Sequence, residues 1–560
     1  MDFTIRAVTA RSVTIELENQ TCYEPDTETD LLVDGECVLK NVQNVVSLCG
    51  LEPNREYRLS TVSGTEESRP LTFCTREESV LLDVRDFGAK GDGLHADTAA
   101  LQAAIMACPA AGTVYLPRGI YFSGPIFLKS HMNLWIDKDA VLLGDPDRNH
   151  YPVLPGMIRG TEESQCDSLM WNIQENSTRP LARNRTSAEA AWQGGEKERD
   201  EYFFGSLEGN PLDCFASLIS GIGVEDIRIF GGGVIDGNAA AGDWWEDPFV
   251  KRTAWRPRTI YLCRCQNICI QDITVQNSPC WTVHPCYSDH LMFLNLKIKN
   301  PPDSPNTDGL NPDSCSDVQI LGTEISVGDD CIAIKSGKYY MALYHYKPSR
   351  DIVVRNCLLK RGHGSVTIGS EGACGVSNVR VSRCIFEGTD RGLRIKTRRG
   401  RGERSVTEDI VFQHIRMTNV RIPFAFNMFY FCDPDGHSEY CQKKAALPVD
   451  AMTPRIDVIR AEDIRITGAD ICLLAAYGLP EQKIGGIFLS DITASFLKKT
   501  ADPPEVPLCM DDLPAMSGRG IFARNVEKLC LRNVTISGSS DRKPDLKGIT
   551  ETEFRDVIWK

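Results

Sequence analysis

The chain has 560 residues, of which 42% are hydrophobic and 25% are charged, and its formal net charge is −14. A chain of this length can bury a large core and is expected to hold more than one domain. Its acidic balance argues against a nucleic-acid partner and against binding to an anionic membrane, but a local basic patch could still hold an acidic substrate.

The N-terminal sequence MDFTIRAVTARSVTIELENQ lacks the apolar core of a signal peptide, and no later run of about 18 apolar residues predicts a membrane span. Many of the 22 cysteines lie inside apolar, strand-like runs, as do Cys263, Cys357 and Cys384. This placement favours reduced, buried thiols in a cytoplasmic protein over a disulfide framework. Because paired CxxC spacing is missing, we do not expect zinc. We also predict no other metal site and no cofactor.

Residues 1–76 predict a small β-sandwich, because short alternating strands are separated by turns throughout this region. The segment Leu51-Glu52-Pro53-Asn54-Arg55-Glu56-Tyr57 resembles the Leu-x-Pro-x-x-x-Tyr corner of fibronectin type III domains. In those domains the tyrosine hydroxyl bonds to nearby backbone. The resemblance implies a fibronectin type III-like module that serves in packing or as a spacer.

A second domain, residues 77–560, is predicted to begin near the segment DFGAKGDG. Residues 97–108 then have a helical pattern with Leu101, Ala104 and Ile105 on one face, and two strand-like segments follow. This order resembles the start of right-handed parallel β-helix enzymes, in which a short helix covers the open end of the first coil. The glycine-rich segment lacks the Gly-Lys-Ser/Thr ending of a phosphate-binding loop.

From residue 222 onwards a strand–turn–strand pattern recurs, for example in NICIQDITVQNSP and DIVVRNCLLKRGHG. Successive copies are 23, 27, 34, 27 and 31 residues apart and start at Asn267, His290, Asp317, Asp351, Asn378 and Asp409. This is the period of a solenoid coil, and the linkers are too short and polar for the helices of a TIM barrel. We therefore predict an all-β chain: a right-handed, single-stranded parallel β-helix preceded by the small β-sandwich.

Two segments interrupt the repeat, at about 156–204 and 426–454. The first is polar and charged with scattered aromatic residues, among them Trp171 and Trp192, and the second is aromatic and mixed in charge. Long loops inside a compact domain are often functional. We expect both insertions to lie beside a groove and to close one of its ends.

Four short motifs carry the candidate chemistry. They are Asn306-Thr307-Asp308-Gly309, Gly328-Asp329-Asp330-Cys331, Gly362-His363-Gly364 and Arg394-Ile395-Lys396-Thr397. Asp308 lies 21 residues before Asp329, and His363 lies 31 residues before Arg394. If each interval is one coil, these groups occupy consecutive rungs about 4.8 Å apart. A solenoid would then gather them on one outward surface.

Three carboxyl groups close together, those of Asp308, Asp329 and Asp330, suit the hydrolysis of a glycosidic bond. Like charges and partial desolvation keep one of them protonated, so that it can protonate the leaving oxygen while an ionised neighbour activates water. If the water lies between them, the carboxyl groups are about 6.5–9.5 Å apart and the anomeric configuration inverts. A calcium site and a solvated aspartate ladder are alternative interpretations, and the nearby histidine and basic residues weigh against calcium.

The basic run after residue 393 stands out in an acidic chain. It consists of Arg394, Lys396, Arg398, Arg399 and Arg401. Alone, such a run is usually a solvated loop, but beside three aspartates it indicates capture of a substrate carboxylate, for which the planar arginine fork is suited.

The four motifs, in this order, are similar to those of the polygalacturonase family, glycoside hydrolase family 28. The resemblance implies inverting hydrolysis of α-1,4-linked galacturonate in pectin. Carried over to this sequence, it implies that Asp329 is the general acid, that Asp308 and Asp330 activate water, and that His363 tunes or orients the acid. The segment CWTVHP is also similar, and its His284 is either a ladder residue or a site residue.

The resemblance also implies the substrate-binding set. Arg394 and Lys396 would bind the galacturonate carboxylate, and Asn306, Glu371 and Arg399 complete the set. The sequence around Glu371 and the arginine-rich extension look like those of exo-acting members, so we expect release of monomer or dimer from oligogalacturonides. Endo action, a rhamnogalacturonan or xylogalacturonan substrate, a calcium-dependent pectate lyase and a non-catalytic carbohydrate-binding solenoid remain alternatives.

Overall fold

The computed structural model describes residues 1–159, 201–498 and 501–560. Most of the predicted insertion at 156–204, including both of its tryptophans, lies outside these described residues. Among the described helices, none is long and apolar enough to cross a membrane.

The N-terminal strands form two antiparallel sheets, as predicted for a β-sandwich. The first sheet consists of Phe3–Val8, Ser12–Leu17 and Val45–Cys49. The second consists of Thr29–Val33, Glu36–Leu39, Glu56–Ser63, Glu66–Glu67 and Leu71–Cys74. Their shared core includes the buried side chains of Ile15, Leu31 and Leu59.

Tyr57 makes the backbone contact expected from the predicted corner. Its hydroxyl accepts a hydrogen bond from the N–H of Glu52 at 2.8 Å. The fibronectin type III assignment and the boundary at residue 76 remain predictions. The sandwich is held against the second domain by the buried carboxylate of Glu16, which pairs with Arg355 at 2.6 Å.

From residue 81 onwards the chain forms the predicted right-handed, single-stranded parallel β-helix. Within the described residues its largest sheet has 24 strands: Leu81–Asp83, Asp92–Ala96, Gly112–Leu116, Gly119–Ser123, Met132–Ile136, Ala140–Gly144, Glu225–Phe230, Val234–Asp236, Gln266–Gln271, Thr274–Gln276, Asp289–Leu294, Lys297–Lys299, Ser316–Leu321, Glu324–Ser326, Ser349–Arg355, Leu358–Lys360, Val376–Ser382, Ile385–Glu387, Val406–Thr418, Arg455–Ile456, Val458–Ala469, Ile484–Phe496, Val526–Ser537 and Glu551–Trp559.

Two smaller parallel sheets carry the candidate site. One consists of Ile126–Phe127, Ile219–Ile222, Ile260–Cys263 and Val283–Cys286. The other consists of Ile332–Ile334, Val366–Ile368, Arg391–Lys396, Ile422–Asn427, Cys472–Tyr477, Arg519–Arg524 and Asp545–Lys547. Leu310 links them, because it is bridged on one side to Val283 and on the other to Ile332. Two short antiparallel pairs lie outside these sheets: Val153–Leu154 with Cys214–Phe215, and Ile158–Arg159 with Glu201–Tyr202.

A column of apolar side chains runs through the solenoid. Paired strands place the same kind of residue at the same height in successive coils. The column contains Ile227, Ile268, Leu291, Val318, Ile352, Val379, Ile410, Ile459, Ile487 and Leu529. Each of these residues is at most 1% exposed. The repeated apolar position in the sequence is therefore one continuous core through the coils from Ile227 to Leu529.

All six predicted repeat starts have a left-handed backbone, with φ between 51° and 57°. Asparagine and aspartate tolerate this conformation better than other residues with a Cβ atom. Their side chains also bond from coil to coil, since the Asn378 amide donates to the Asp351 carboxylate at 2.6 Å. Each predicted repeat start is thus a kink near the beginning of a strand.

Helix α1, Thr98–Ala107, is the predicted cap of the first coil. Its buried residues are Leu101, Ala104 and Ile105. Asp97 precedes the helix, but its carboxylate accepts hydrogen bonds from the backbone N–H groups of Lys90 and Gly91 instead of capping the helix.

Helix α2, Tyr339–Tyr344, follows one of the site strands. Near the second predicted insertion, the chain leaves the sheet after Ile422–Asn427 and returns to a sheet at Arg455–Ile456. Between these strands lie a 3₁₀ turn, Pro434–His437, and helix α3, Glu439–Gln442. Other described 3₁₀ turns are Val84–Phe87, Arg148–His150 and Ala239–Ala241.

Candidate active site

The four motifs lie on consecutive rungs of the solenoid. The backbone N–H of Gly309 donates to the carbonyl of Asp330 at 3.0 Å, and that of Cys331 donates to the carbonyl of Gly364 at 2.8 Å. The strand that follows Gly364 pairs with the strand that carries Arg394. Stacking of coils therefore brings together side chains that are far apart in the sequence.

Gly364 has its place in the third motif because nothing larger fits there. A Cβ atom at this position would lie 2.6 Å from Oδ1 of Asp330 and closer still to Oγ1 of Thr367. The absence of a side chain allows the turn after His363 to approach the carboxylate.

Asp330 is buried beside the two cations of the fourth motif. Nη1 of Arg394 donates to its Oδ1 at 3.0 Å, and Nζ of Lys396 donates to its Oδ2 at 2.9 Å. Burial would raise the pKa of Asp330, but these positive charges outweigh burial and hold the pKa below its usual range. Tyr430 covers the pair, with its ring centroid 5.2 Å from Nζ of Lys396. Asp330 is therefore a fixed negative charge.

Asp308 is only 3% exposed, and its surroundings are different. Its Oδ2 accepts a hydrogen bond from the amide of Asn311 at 2.7 Å and lies 3.8 Å from Nζ of Lys335. Burial raises the pKa of Asp308 well above its usual value, and the nearby Asp329 raises it further. Lys335 acts in the opposite direction. The charge on Asp308 is thus set by a balance between its neighbours.

Asp329 is the most accessible of the three aspartates. Its side chain is 23% exposed, against 4% for Asp308 and 1% for Asp330. Nδ1 of His363 lies 3.4 Å from Oδ1 of Asp329. This contact raises the pKa of His363, although burial partly opposes the shift. A solvent-facing carboxyl beside an imidazole is suited to exchanging a proton with a ligand.

Lys335 is a buried cation that sequence reasoning missed. Its Nζ donates to Oε2 of Glu371 at 2.8 Å and lies 4.4 Å from the ring centroid of Trp281. It ends the apolar stretch CIAIK, and a lone charge in such a stretch is the signal that could have identified it. Burial would raise the pKa of Glu371, but Lys335 and Lys338 lower it to about 2. Glu371, predicted to bind substrate, holds Lys335 in place.

Asn306 and Arg399, both predicted to bind substrate, have different surroundings. Oδ1 of Asn306 accepts a hydrogen bond from Arg256 at 2.7 Å, and Asn306 lines a cavity together with Trp281. Arg399 is 1% exposed and uses all five of its N–H donors on Glu481 and on backbone carbonyls. In this arrangement no donor of Arg399 is left for a substrate carboxylate, and its substrate-binding role stays a prediction.

The second insertion is fastened to the coils by ion pairs. Asp433 accepts hydrogen bonds from Lys338 at 2.7 Å, Arg401 at 2.9 Å and Arg398 at 3.1 Å. Nζ of Lys338 also lies 3.7 Å from Glu208, which follows the first insertion. Asp433 of the second insertion and Glu208, next to the first, thus meet at Lys338. Arg398 and Arg401 hold the second insertion in place.

His284 lies in the coil before the first motif and is fully buried. Its Nε2 is 3.5 Å from Asp313, and in the described part of the chain these two residues and Cys286 form the one group of three potential metal ligands. Burial, together with the positive charges of Arg258 and Lys335, lowers the pKa of His284 to about 4, although Asp313 acts in the opposite direction. The positive charges of Arg258 and Lys335 oppose a metal ion here. We therefore assign His284 to the stacked structural residues of the coils and not to the site.

The arrangement is suited to bond cleavage by an acid and a base. It offers an accessible carboxyl, a permanently ionised carboxylate and a third carboxyl whose charge depends on its neighbours. Paired carboxyl groups of this kind protonate a leaving oxygen and activate water at a glycosidic bond. Arg394 and Lys396 together carry one more charge than Asp330 neutralises, which favours an acidic sugar.

The family model for glycosyl hydrolases family 28 matches residues 207–452, and a model for pectate lyase-like rhamnogalacturonase A/epimerase proteins matches residues 81–167. A probable polygalacturonase of Vitis vinifera is 29% identical over 429 residues, which are 75% of this chain and 75% of its own. An exo-poly-alpha-D-galacturonosidase of Dickeya chrysanthemi is 24% identical over 411 residues, 70% of this chain and 65% of its own. The family 28 exopolygalacturonase structure of Yersinia enterocolitica has a TM-score of 0.61 at 16% identity and covers 99% of this chain and 98% of its own.

Proposed function

We propose that this chain, which belongs to glycoside hydrolase family 28 through residues 207–452, hydrolyses α-1,4-galacturonosidic bonds of pectin-derived oligogalacturonides. The observation that carries the proposal is the convergence of Asp308, Asp329 and Asp330 beside Arg394 and Lys396, whose two positive charges exceed the single charge of Asp330, which they hold. The named relatives, a polygalacturonase and an exo-poly-alpha-D-galacturonosidase, support a galacturonan substrate. The expected stereochemical outcome is inversion.

Asp329 is the general acid in this proposal. It is the carboxyl that a glycosidic oxygen can reach most directly, since its side chain is 23% exposed. His363 at 3.4 Å can orient the carboxyl and return its proton after each turnover. Protonation of the leaving oxygen then separates the two sugars.

Asp308 and Asp330 have different roles toward the attacking water. Asp330 is a weak base because Arg394 and Lys396 hold its pKa low, so it serves to orient the water. Asp308, with its raised pKa, is the stronger base once ionised and accepts the proton. A base whose pKa lies near the working pH is the more effective catalyst.

Arg394 and Lys396 bind the galacturonate carboxylate. In the structure both donate to Asp330, and the pair carries one positive charge beyond that aspartate. A substrate carboxylate would neutralise this charge. A neutral sugar would not, and this gives the preference for a uronic acid.

Exo action is expected if the two predicted insertions close one end of the groove, because such a groove admits a chain end but not the middle of a polymer. Nζ of Lys338 lies 3.7 Å from the half-buried Glu208, which follows the first insertion, and 2.7 Å from Asp433 of the second. The relative from Dickeya chrysanthemi carries exo action in its name, which supports this proposal.

Product analysis on galacturonate oligomers of defined length tests the function. We expect galacturonate or its dimer from the first time points, with the inverted anomer seen by NMR. An unsaturated product, or loss of activity with a calcium chelator, would indicate a lyase. Rapid loss of pectate viscosity with few new reducing ends would indicate endo action.

The variant Asp329→Asn separates catalysis from binding. We expect a loss of at least 1,000-fold in kcat with substrate binding retained. The matched control is Asp317→Asn, since Asp317 has a left-handed backbone that asparagine tolerates and lies on the surface. Equal behaviour of the two variants toward substrate would favour a carbohydrate-binding solenoid.

We also propose that the protein works in a reducing compartment, the cytoplasm. The 21 cysteines among the described residues are all unpaired. They include neighbours such as Cys357 and Cys384, where the N–H of Cys357 donates to the sulfur of Cys384 at 3.5 Å. Thiol titration of the denatured, unreduced protein from its own cells tests this proposal, and a full count of free thiols is expected.

A further inference from the structure

We propose that Lys335, held by Glu371, is the positioning residue that keeps Asp308 ionised for water activation, an inference that rests on the proposed function. The side chain of Lys335 is 5% exposed. Its Nζ lies 2.8 Å from Oε2 of Glu371 and 3.8 Å from Oδ2 of Asp308. The indole ring of Trp281 covers the ammonium group at 4.4 Å.

Asp308 needs a cation because burial and two neighbouring aspartates, Asp329 and Asp330, oppose its ionisation. The charged groups that act on it are Asp329, Lys335, Asp330 and Lys396. Lys396 already donates to Asp330 at 2.9 Å. Among the described residues, Lys335 is the cation within 4.0 Å of Asp308, and no other is. Without it, a buried carboxyl would face two neighbouring aspartates with only the amide of Asn311 bonded to it.

Glu371 gives Lys335 a fixed position. A lysine side chain has four rotatable bonds, and an ion pair at 2.8 Å restricts them so that the ammonium group stays beside Asp308. The burial of Lys335 also separates this role from substrate binding. Its Nζ is enclosed by Trp281 and two carboxylates, whereas Arg394 and Lys396 already supply the positive surplus.

The test is the pH dependence of kcat on trigalacturonate for Lys335→Met. Loss of the positive charge raises the pKa of Asp308, so a higher pH is needed to ionise the base. We expect the acid limb of kcat to move up by at least about 1 pH unit, with KM at the optimum within about 2-fold of wild type. An unmoved limb with KM raised about 10-fold or more would overturn the proposal and make Lys335 a substrate ligand.

Glu371→Gln provides a second variant in case Lys335→Met does not fold. It removes the anion that anchors Lys335 at 2.8 Å, so the ammonium group is no longer held beside Asp308. The acid limb is then expected to move to higher pH, as in Lys335→Met. An unmoved limb, or one that moves to lower pH, would overturn the proposal.

Lys347→Met is the matched control, because this half-buried lysine pairs with Asp289 at 2.7 Å and has no ion pair with Asp308 or Glu371. Its acid limb is expected to stay within about 0.3 pH unit of wild type. A limb that moves as far as in Lys335→Met would overturn the assignment to Lys335. A wild-type protein that releases no galacturonate refutes the proposed function, whereas an active wild type with an unmoved Lys335→Met profile refutes this inference alone.

Discussion

Nζ of Lys396 lies 2.9 Å from Oδ2 of Asp330, and the two side chains are only 8% and 1% exposed. Removing one partner of a buried ion pair leaves an uncompensated charge, which costs about 3–5 kcal/mol. In the proposed function the same lysine also binds the substrate carboxylate. Lys396 therefore connects the stability of the site with its affinity.

Lys396→Met is expected to lower kcat/KM for trigalacturonate about 100-fold or more, because it removes a direct contact to the carboxylate. The free energy of unfolding should fall by about 3 kcal/mol. Steady-state kinetics and urea unfolding measure the two effects. As a control, Lys443→Met removes an exposed lysine that pairs with Glu439 and should leave both quantities unchanged. Wild-type kinetics in Lys396→Met would contradict the assigned role.

The alkaline limb of activity is expected to depend on His363. Its contact with Asp329 raises its pKa above the ordinary value of 6.5, so the imidazolium persists to higher pH. The stabilisation of the folded protein by this contact is complete below pH 6.5 and is lost as the pH rises through the raised pKa of His363. In His363→Gln, the fall of kcat on the alkaline side should flatten and its maximum should drop about 10-fold or more. An unchanged alkaline limb would exclude His363 as its source.

Glu371 is expected to contribute to stability at neutral pH. Lys335 and Lys338 lower its pKa from 4.5 to about 2 in the folded protein, so its stabilisation is present above pH 4.5 and is lost as the pH falls toward 2. Glu371→Gln should therefore cost about 2–4 kcal/mol at pH 7 and much less near pH 2.5. Denaturant unfolding at both values measures the difference. The exposed Glu439→Gln serves as control, and an equal cost at both pH values would contradict the ion-pair account.

Arg399 is expected to act on stability and not on substrate affinity. Its five N–H donors are used within the protein, and it pairs with the buried Glu481 at 2.6 Å. Arg399→Met should reduce the free energy of unfolding by about 3–5 kcal/mol and leave KM within about 2-fold. A double-mutant cycle with Glu481→Gln should show strong coupling. A large rise in KM without loss of stability would support the substrate-binding role of Arg399 that the sequence predicts.

The fold could be predicted because its repeat has two physical causes, an apolar core position and a left-handed kink. Every predicted repeat start, such as Asn378, carries that kink. The motif residues could be predicted because coil stacking converts spacing along the chain into proximity. Lys335 was missed because its partner Glu371 lies 36 residues away. The sequence alone does not show which distant side chains form an ion pair.

The internal contacts of Arg399 could not be predicted for a related reason. Side chains alternate faces only while the chain remains a strand, and that strand is Arg391–Lys396. Arg394 and Lys396 are two residues apart within it and reach the same carboxylate. Beyond the strand the alternation no longer holds, so charge alone could not tell which cation points at the aspartates.

The stacked apolar column makes the solenoid tolerant of some length changes and intolerant of others. Residues added between strands lengthen a loop at the surface and leave every rung where it was. Insertion of one whole coil between Asp330 and His363 would join strands that still match, yet it would shift the histidine one step along the axis. Homologues of this chain should therefore differ freely in the number of residues between motifs but never in the number of turns.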